Sequence, residues 1–276
     1  MERDIILQVS HLKTVFEVGD TIVNAVNDVS FSLEKGHTLG IVGESGCGKS
    51  VTTASILQLL PKHGHVIEGT VEYIPSPGDV PIMLSSLSKN SKEIRTVRGR
   101  EISMIFQDPS SSLNPLYTVG SQIAENLLHH EKISKKEARK RIVGLPTDLG
   151  IPNPNQRYNE YPHQFSGGMK QRIMIAIAMI CNPNILIADE PTTALDTTIQ
   201  AQILALMNQL KEVHNTSIIL ITHSMGVIAE TCNEVAVMYM GRIVEFGTLK
   251  QIFDEPLHPY TKALLKSRYC QMLWIA

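Results

Sequence analysis

The stretch "GESGCGKS", Gly43 to Ser50, sets three glycines, a lysine and a serine between two apolar runs. "HTLGIV" before it ends as a short strand, and "VTTASILQLLP" after it reads as a helix stopped by Pro61. Strand, glycine-rich turn and helix form the setting in which backbone N–H groups wrap a phosphate chain. The stretch fits the pattern G-x-x-x-x-G-K-[ST] in full. Gly43, Gly46 and Gly48 free the backbone to turn its N–H groups inward. Lys49 is placed to reach the terminal phosphates, and Ser50 to offer its hydroxyl to Mg2+. Glu44, Ser45, Cys47 and Val51 complete the candidate nucleotide-binding set.

Outward from that loop, the bulk properties bound the answer. The 276 residues suffice for one large domain or two modest ones. A hydrophobic share of 43% with 19% charged is that of an ordinary soluble globular protein. A net charge of −2 gives no electrostatic case for nucleic acid as the main partner. Cys47, Cys181, Cys232 and Cys270 are scattered without a C-x-x-C pair, which argues against a disulfide framework or zinc ribbon and fits a reducing cytosol. The apolar run after "MERD" is too short for a signal segment. Ile173 to Cys181, the longest apolar stretch, falls far short of the ~20 residues that span a bilayer. If the protein works at a membrane, another chain does the spanning.

No repeat of 20–50 residues is visible. Residues 4–42 read as short strands, "IILQVS", "TVFEV", "VNAVNDVSFSL" and "HTLGIV", with a turn at Lys35-Gly36. Residues 61–100 read as irregular and polar, and the basic run "SKNSKEIRTVRGR" as a solvated surface. "EISMIFQD" is a strand ended by Asp108-Pro109. From 115 to about 165 the pattern is helical, with a capping box at Ser134 and Glu137 and an interruption at Gly144 and Pro146. "FSGGMKQRIMIAIAMIC" is a mostly apolar helix entered through two glycines. "NILIADE" and "SIILITH" are strands of the buried type. Asp196 caps a helix whose apolar stripe is Ile199, Ile203, Leu206, Leu210 and Val213. "EVAVMYMGRIVEFG" reads as a closing hairpin. Buried strands alternating with helices imply a parallel sheet in an α/β fold.

Two further motifs carry chemistry. "ILIADE" ends an apolar strand in Asp189, a carboxylate at the sheet edge where ligands bind in such folds. Asp189 is placed to hold Mg2+ through water, and Glu190 to polarise an attacking water. "FSGGMKQR" is a second glycine-rich helix start, able to bind an anion by its N–H groups and dipole. A single nucleotide already has its cradle at Gly43–Ser50, so a second anion-binding helix end needs another purpose. A packing Gly-Gly is its plain alternative.

Taken together, these motifs resemble the ATP-binding cassette family over nearly the whole chain. "SGG", then "ILIADEPTTALD", then "ITH" look like that family's signature, Walker B, D-loop and switch histidine in order. Gln107 in "FQDP" looks like its Q-loop, with a place among the magnesium contacts. Phe16 looks like the aromatic that stacks on adenine, a core position being its other reading. His223 looks like the switch histidine that contacts the γ-phosphate; a satisfied strand-end histidine is the other reading. The resemblance implies a P-loop NTPase core with an N-terminal antiparallel β subdomain and an inserted α-helical subdomain. The implied division is 1–110 and 166–240 for the core and β subdomain, 111–165 for the helical subdomain, and 241–276 for a C-terminal extension. In that family two cassettes pack head to tail. Ser166, Gly167 and Gly168 would then complete the partner's ATP site, which explains the second helix end. Lys49, Gln107, Glu190 and His223 would be the catalytic group, and ATP with Mg2+ the substrate and cofactor.

"GESGCGKS", "IFQDPSSSLNP", "YPHQFSGGMKQR", "IADEPTTALDTTIQAQIL" and "HPYTKALL" are similar to the ATPase subunits of bacterial oligopeptide and dipeptide importers, and of nickel importers in the same branch. This implies a peripheral protein on the cytoplasmic face of the membrane, working with a second cassette subunit and two permease subunits. An extracytoplasmic solute-binding protein would act through the permeases. A cassette exporter and a soluble cassette acting on ribosomes or DNA are the rival readings. The chain shows no heptad arm or zinc spacing to favour the latter. It departs from the family at Phe165 and Met169, where the general signature has Leu and Gln, and at Ser224, where this branch usually has an acid. It also ends at "SRYCQMLWIA", where relatives usually continue into a Cys-rich segment. Cys270 alone cannot build a four-Cys cluster site, and a shortened or frame-shifted tail is the expectation there.

Overall fold

The computed structural model describes residues 4–148, 150–193 and 195–273. Along the chain, β1 (Ile5–Val18), β2 (Thr21–Glu34) and β3 (Thr38–Val42) lead into α1 (Lys49–Ile56). Then come β4 (Gly64–Tyr73), β5 (Ile82–Met83), α2 (Lys92–Val97) and β6 (Ile102–Ile105). A helical run follows: α3 (Pro109–Ser112), α4 (Val119–His130), α5 (Lys135–Asp148), α6 (Pro154–Arg157) and α7 (Gly167–Met179). The chain closes with β7 (Ile185–Asp189), α8 (Thr197–His214), β8 (Ser217–Thr222), α9 (Met225–Thr231), β9 (Glu234–Tyr239), β10 (Arg242–Thr248), α10 (Leu249–Asp254) and α11 (Pro259–Leu273). Two compact units result, one of residues 1–94 with 217–276 and one of residues 95–216.

The first unit holds two sheets. One is antiparallel in the order β2-β1-β4-β5. In the other, β3 lies between β8 and β9, parallel to both, and β10 pairs antiparallel with β9. All five residues of β3 and all six of β8 are buried, so both strands read as largely apolar, with Thr38, Ser217 and Thr222 the polar exceptions at their ends, rather than alternating. The second unit pairs β6 and β7 in parallel and gathers α3 to α8. The parallel strands, the closing hairpin and the helices match the α/β reading.

Several local expectations give way. "IILQVS" and "TVFEV" are one strand, because β1 crosses the polar "HLK" by slipping register between Val9 and Leu12. The irregularity centres on His11 at φ 54° and, on β2, Asp28 at φ 63°; the His11 ring sits 2.8 Å from the Asp28 carboxylate. Residues 64–73, read as irregular, form β4. Only Val71 and Tyr73 of it are buried and Ile67 is 59% exposed, so no clean alternation advertises a strand. The basic run from 88 to 100 carries α2, with Ile94 and Val97 buried. The helix after the phosphate loop stops at Ile56, four residues before Pro61 is reached, as Gln58 turns to φ 51°.

In the helical region α5 runs through Gly144 and Pro146 to Asp148. A proline there forfeits one helical hydrogen bond near the end of the helix. Burial of Ala138 and Ile142 upstream offsets that loss. In α8, Ile203, Leu206 and Leu210 are buried as expected, but Val213 is 69% exposed in the last turn, where the stripe runs off the core. Asp196 does cap α8, its Oδ1 accepting the Ile199 N–H at 2.9 Å. Of the closing "SRYCQMLWIA", Trp274–Ala276 lie outside the described residues, and for 267–273, Cys270 included, the backbone alone is described.

Candidate nucleotide site

In the first unit, β3 delivers the chain into the loop at Gly43 and α1 takes it away from Lys49. The three glycines do different work. Gly46 and Gly48 stand at φ 80° and 104°, the left-handed conformations that turn successive N–H groups to one side. Gly43 is a matter of space: a Cβ there would lie 2.1 Å from the Met238 carbonyl oxygen. Lys49 is 5% exposed and donates to the carbonyls of Gly43 and Glu44, both at 2.8 Å. A buried ammonium satisfied by two loop carbonyls is a cation held ready beside a nest of N–H donors, the pairing an oligophosphate requires. Ser50, next in the helix, presents its side chain at an exposed position. Burial pushes the Cys47 thiol up, so it stays protonated and inert within the loop.

Phe16 lies in the same unit on β1, opposite Val23 and Gly64. Its ring edge would meet a Cβ at Gly64 within 2.8 Å, and its centroid is 6.5 Å from that of His63. The residue is only half-buried, so part of the ring remains open for stacking. His223 follows β8 at an exposed position. Beside it, the Ser224 N–H is taken by the Thr222 hydroxyl at 3.0 Å, and Ser224 makes no side-chain cap to α9.

In the second unit, β7 ends in Asp189, 5% exposed, and the next residue turns sharply: Glu190 stands at φ 46°. That left-handed turn lifts the Glu190 carboxylate off the strand. Its Oε2 accepts from the Gln107 amide nitrogen at 3.0 Å and from the Thr193 hydroxyl at 2.9 Å. Gln107 and Glu190, separate motifs in the sequence, are therefore one hydrogen-bonded group. Thr193 belongs to the same group and was not singled out from sequence. Its signal was its place three residues after Glu190, a spacing that returns a side chain to the same side of a tight turn.

The signature segment is built as a helix start. Ser166 caps α7, its Oγ accepting the Met169 N–H at 3.4 Å, and Gly167 and Gly168 form the first turn. A Cβ on Gly168 would meet the Ile199 side chain at 2.8 Å, so glycine there permits α7 to approach α8. Gly167 has no such neighbour closer than 3.8 Å and stays exposed. The departure at Phe165 has a packing reason: the ring is buried, with the Arg157 guanidinium 5.5 Å from its centroid.

Comparison with known proteins places this geometry. Residues 26–193 match the family described as ABC transporter, and residues 244–269 match the region described as oligopeptide/dipeptide transporter, C-terminal region. The chain belongs to the ABC transporter family. It is 52% identical to the dipeptide transport ATP-binding protein DppD of Bacillus subtilis (strain 168), over 95% of this chain and 76% of that protein. It is 51% identical to the oligopeptide transport ATP-binding protein OppD of the same organism, over 95% of this chain and 71% of that one. Among solved structures it is similar to the ATP-binding cassette MJ0796 in a dimeric post-hydrolysis state bound to ADP and Pi. That match has a TM-score of 0.76 at 27% identity, over 88% of this chain and 98% of the other.

Proposed function

We propose that this chain is the ATP-binding and ATP-hydrolysing subunit of an importer, energising the uptake of oligopeptides or dipeptides. The observation that carries the reading is the union, in one chain, of the Gly43–Ser50 cradle with the oligopeptide/dipeptide C-terminal region at 244–269. The first supplies ATP chemistry and the second narrows the cargo class.

The residue roles follow from the chemistry of each group. Phosphoryl transfer from ATP asks the protein for positioning and charge compensation more than for covalent help. The N–H groups from Gly46 to Val51 would cradle the phosphates. Lys49 would move from the Gly43 and Glu44 carbonyls to the phosphate oxygens, exchanging two neutral acceptors for charged ones. Phe16 would stack on the adenine. Glu190 would accept the proton of the attacking water, with Gln107 and Thr193 fixing the carboxylate's direction. His223 would donate to the γ-phosphate. Ser166, Gly167 and Gly168 would serve the nucleotide of a second cassette, in keeping with a capped helix start at which Ser166 and Gly167 are exposed.

Ser50, Gln107 and Asp189 are the residues that would hold Mg2+. Their donors, a hydroxyl, an amide oxygen and a carboxylate, are the hard oxygen ligands that ion takes. Gln107 uses its amide nitrogen on Glu190, which leaves its oxygen as the atom of the right kind. The ion, when bound, supplies positive charge against the phosphate oxygens.

No described helix is long and apolar enough to cross a membrane. Spanning would fall to two permease subunits, with a second cassette subunit, a paralogue for preference, completing the pair on the cytoplasmic face. A solute-binding protein would deliver cargo through the permeases. The surface offered to the permeases would be the start of the helical region. Leu116 and Tyr117 are 80% and 60% exposed there, beside a groove lined by Ser112, Asn114, Ser121 and Gln122. Capture of the chain from its native membrane should bring down two permeases and a second cassette protein. Capture of ribosomes or DNA in their place would overturn the importer reading.

A further inference from the structure

The C-terminal region has no part in the phosphate chemistry described above, yet it touches the phosphate loop. The Tyr260 hydroxyl accepts the backbone N–H of Glu44 at 3.0 Å. That N–H and the Gly43 carbonyl belong to one peptide unit, and the carbonyl is the one that Lys49 holds at 2.8 Å. A single peptide at the mouth of the cradle is thus gripped from both edges, by the lysine on one and the tyrosine on the other.

Tyr260 does not reach there by accident of a floppy side chain. Its ring packs on that of Tyr239 at the end of β9, centroids 4.4 Å apart. Its own N–H is taken by His258 Nδ1 at 3.2 Å. The turn before it is hooked to β10, where the Glu245 carboxylate accepts the N–H groups of Leu257 at 2.7 Å and His258 at 3.0 Å. Burial alone would raise the Glu245 carboxyl. The N–H groups of Leu257 and His258 work against that, and the group lies below its ordinary value, so it is ionised at neutral pH and the hook stays closed. Thr261 is fully buried. Burial raises the Tyr260 phenol, which keeps it a neutral hydroxyl.

We propose that Tyr260 is a positioning residue for the nucleotide loop, tying the C-terminal region to the Gly43–Glu44 peptide and pre-organising the cradle for ATP. The inference rests on the reading of Gly43–Ser50 as the phosphate cradle. When Lys49 turns to the phosphates it leaves the Gly43 carbonyl, and the Tyr260 hydroxyl is then the hold that keeps this peptide in place. A loop already ordered loses less freedom on binding, so the benefit falls on affinity and not on the chemical step.

The test is Tyr260→Phe in the full chain, which keeps the ring contact with Tyr239 and removes the hydroxyl alone. Loss of one neutral hydrogen bond corresponds to about a fivefold weakening. The expected result is a KM for ATP raised about fivefold with kcat unchanged and the melting temperature lowered by no more than about 2–4 °C, together with faster amide exchange at Glu44. Tyr260→Ala should raise KM further. A KM equal to the parent's for Tyr260→Phe would overturn the proposal. So would a fall in kcat and melting temperature without a KM change, which is the mark of a merely structural tyrosine. Lys49→Ala run alongside separates the two layers. If it weakens ATP binding while Tyr260→Phe does not, only the tyrosine's role falls; if neither does, the cradle reading falls with it.

Discussion

Glu190→Gln should bind ATP as the parent does and lose about 10²–10⁴-fold in turnover, the usual weight of one general base. The substitution is nearly isosteric. It keeps an oxygen to accept from Gln107 and Thr193, which lie 3.0 and 2.9 Å from the Glu190 carboxylate. What it removes is the charge that draws a proton from water. Binding energy and loop order should therefore survive while the chemical step does not, a split between affinity and rate that a folding defect would not produce. Calorimetry for affinity and steady-state phosphate release from the assembled transporter check the two halves. An unchanged rate would remove Glu190 from the base role.

Lys49→Ala should fail earlier, at binding. The Lys49 ammonium is 5% exposed and has two carbonyl partners at 2.8 Å, so its loss frees both the phosphates' counter-charge and the loop's internal tie. Hydrogen bonds to a charged group are worth about 1.5–3 kcal/mol. That corresponds to an affinity lower by roughly 10- to 150-fold. Titration calorimetry with ATP on the purified chain reads this directly, and equal affinity would contradict the cradle assignment. The contrast between the two substitutions matters more than either alone. On the proposed roles, Lys49 would act on ground state and transition state together and Glu190 on the transition state only.

The phosphate loop was legible because its function requires residue types that have no substitutes. Gly46 and Gly48 sit at φ 80° and 104°, where a side chain is strained, and Gly43 sits where a Cβ would meet a carbonyl. The buried strands were legible for a related reason: β3, β7 and β8 are buried at every position, so their centres read as apolar runs without alternation, polar only at the ends. Strand β4 was not, because it is largely exposed on both faces and takes its place by pairing with β1, a contact some 55 residues away in the chain. The continuation of α5 through Pro146 was missed on the same ground, since tertiary burial of Ala138 and Ile142 overrode a local helix breaker. At the site, the sequence supplied Gln107 and Glu190 as separate motifs but not their hydrogen bond, nor Thr193 beside them. The bond from Glu44 to Tyr260 joins residues 216 apart, and no periodicity or spacing rule reaches that far.

Peptide uptake by the reconstituted transporter, measured against ATP consumed, tests the central claim most directly. The account predicts that proteoliposomes holding this chain with its partner subunits accumulate peptide only when ATP is hydrolysed, and that Glu190→Gln in this chain sharply cuts hydrolysis and accumulation together. Accumulation that continued undiminished while this chain's hydrolysis was silenced would contradict it.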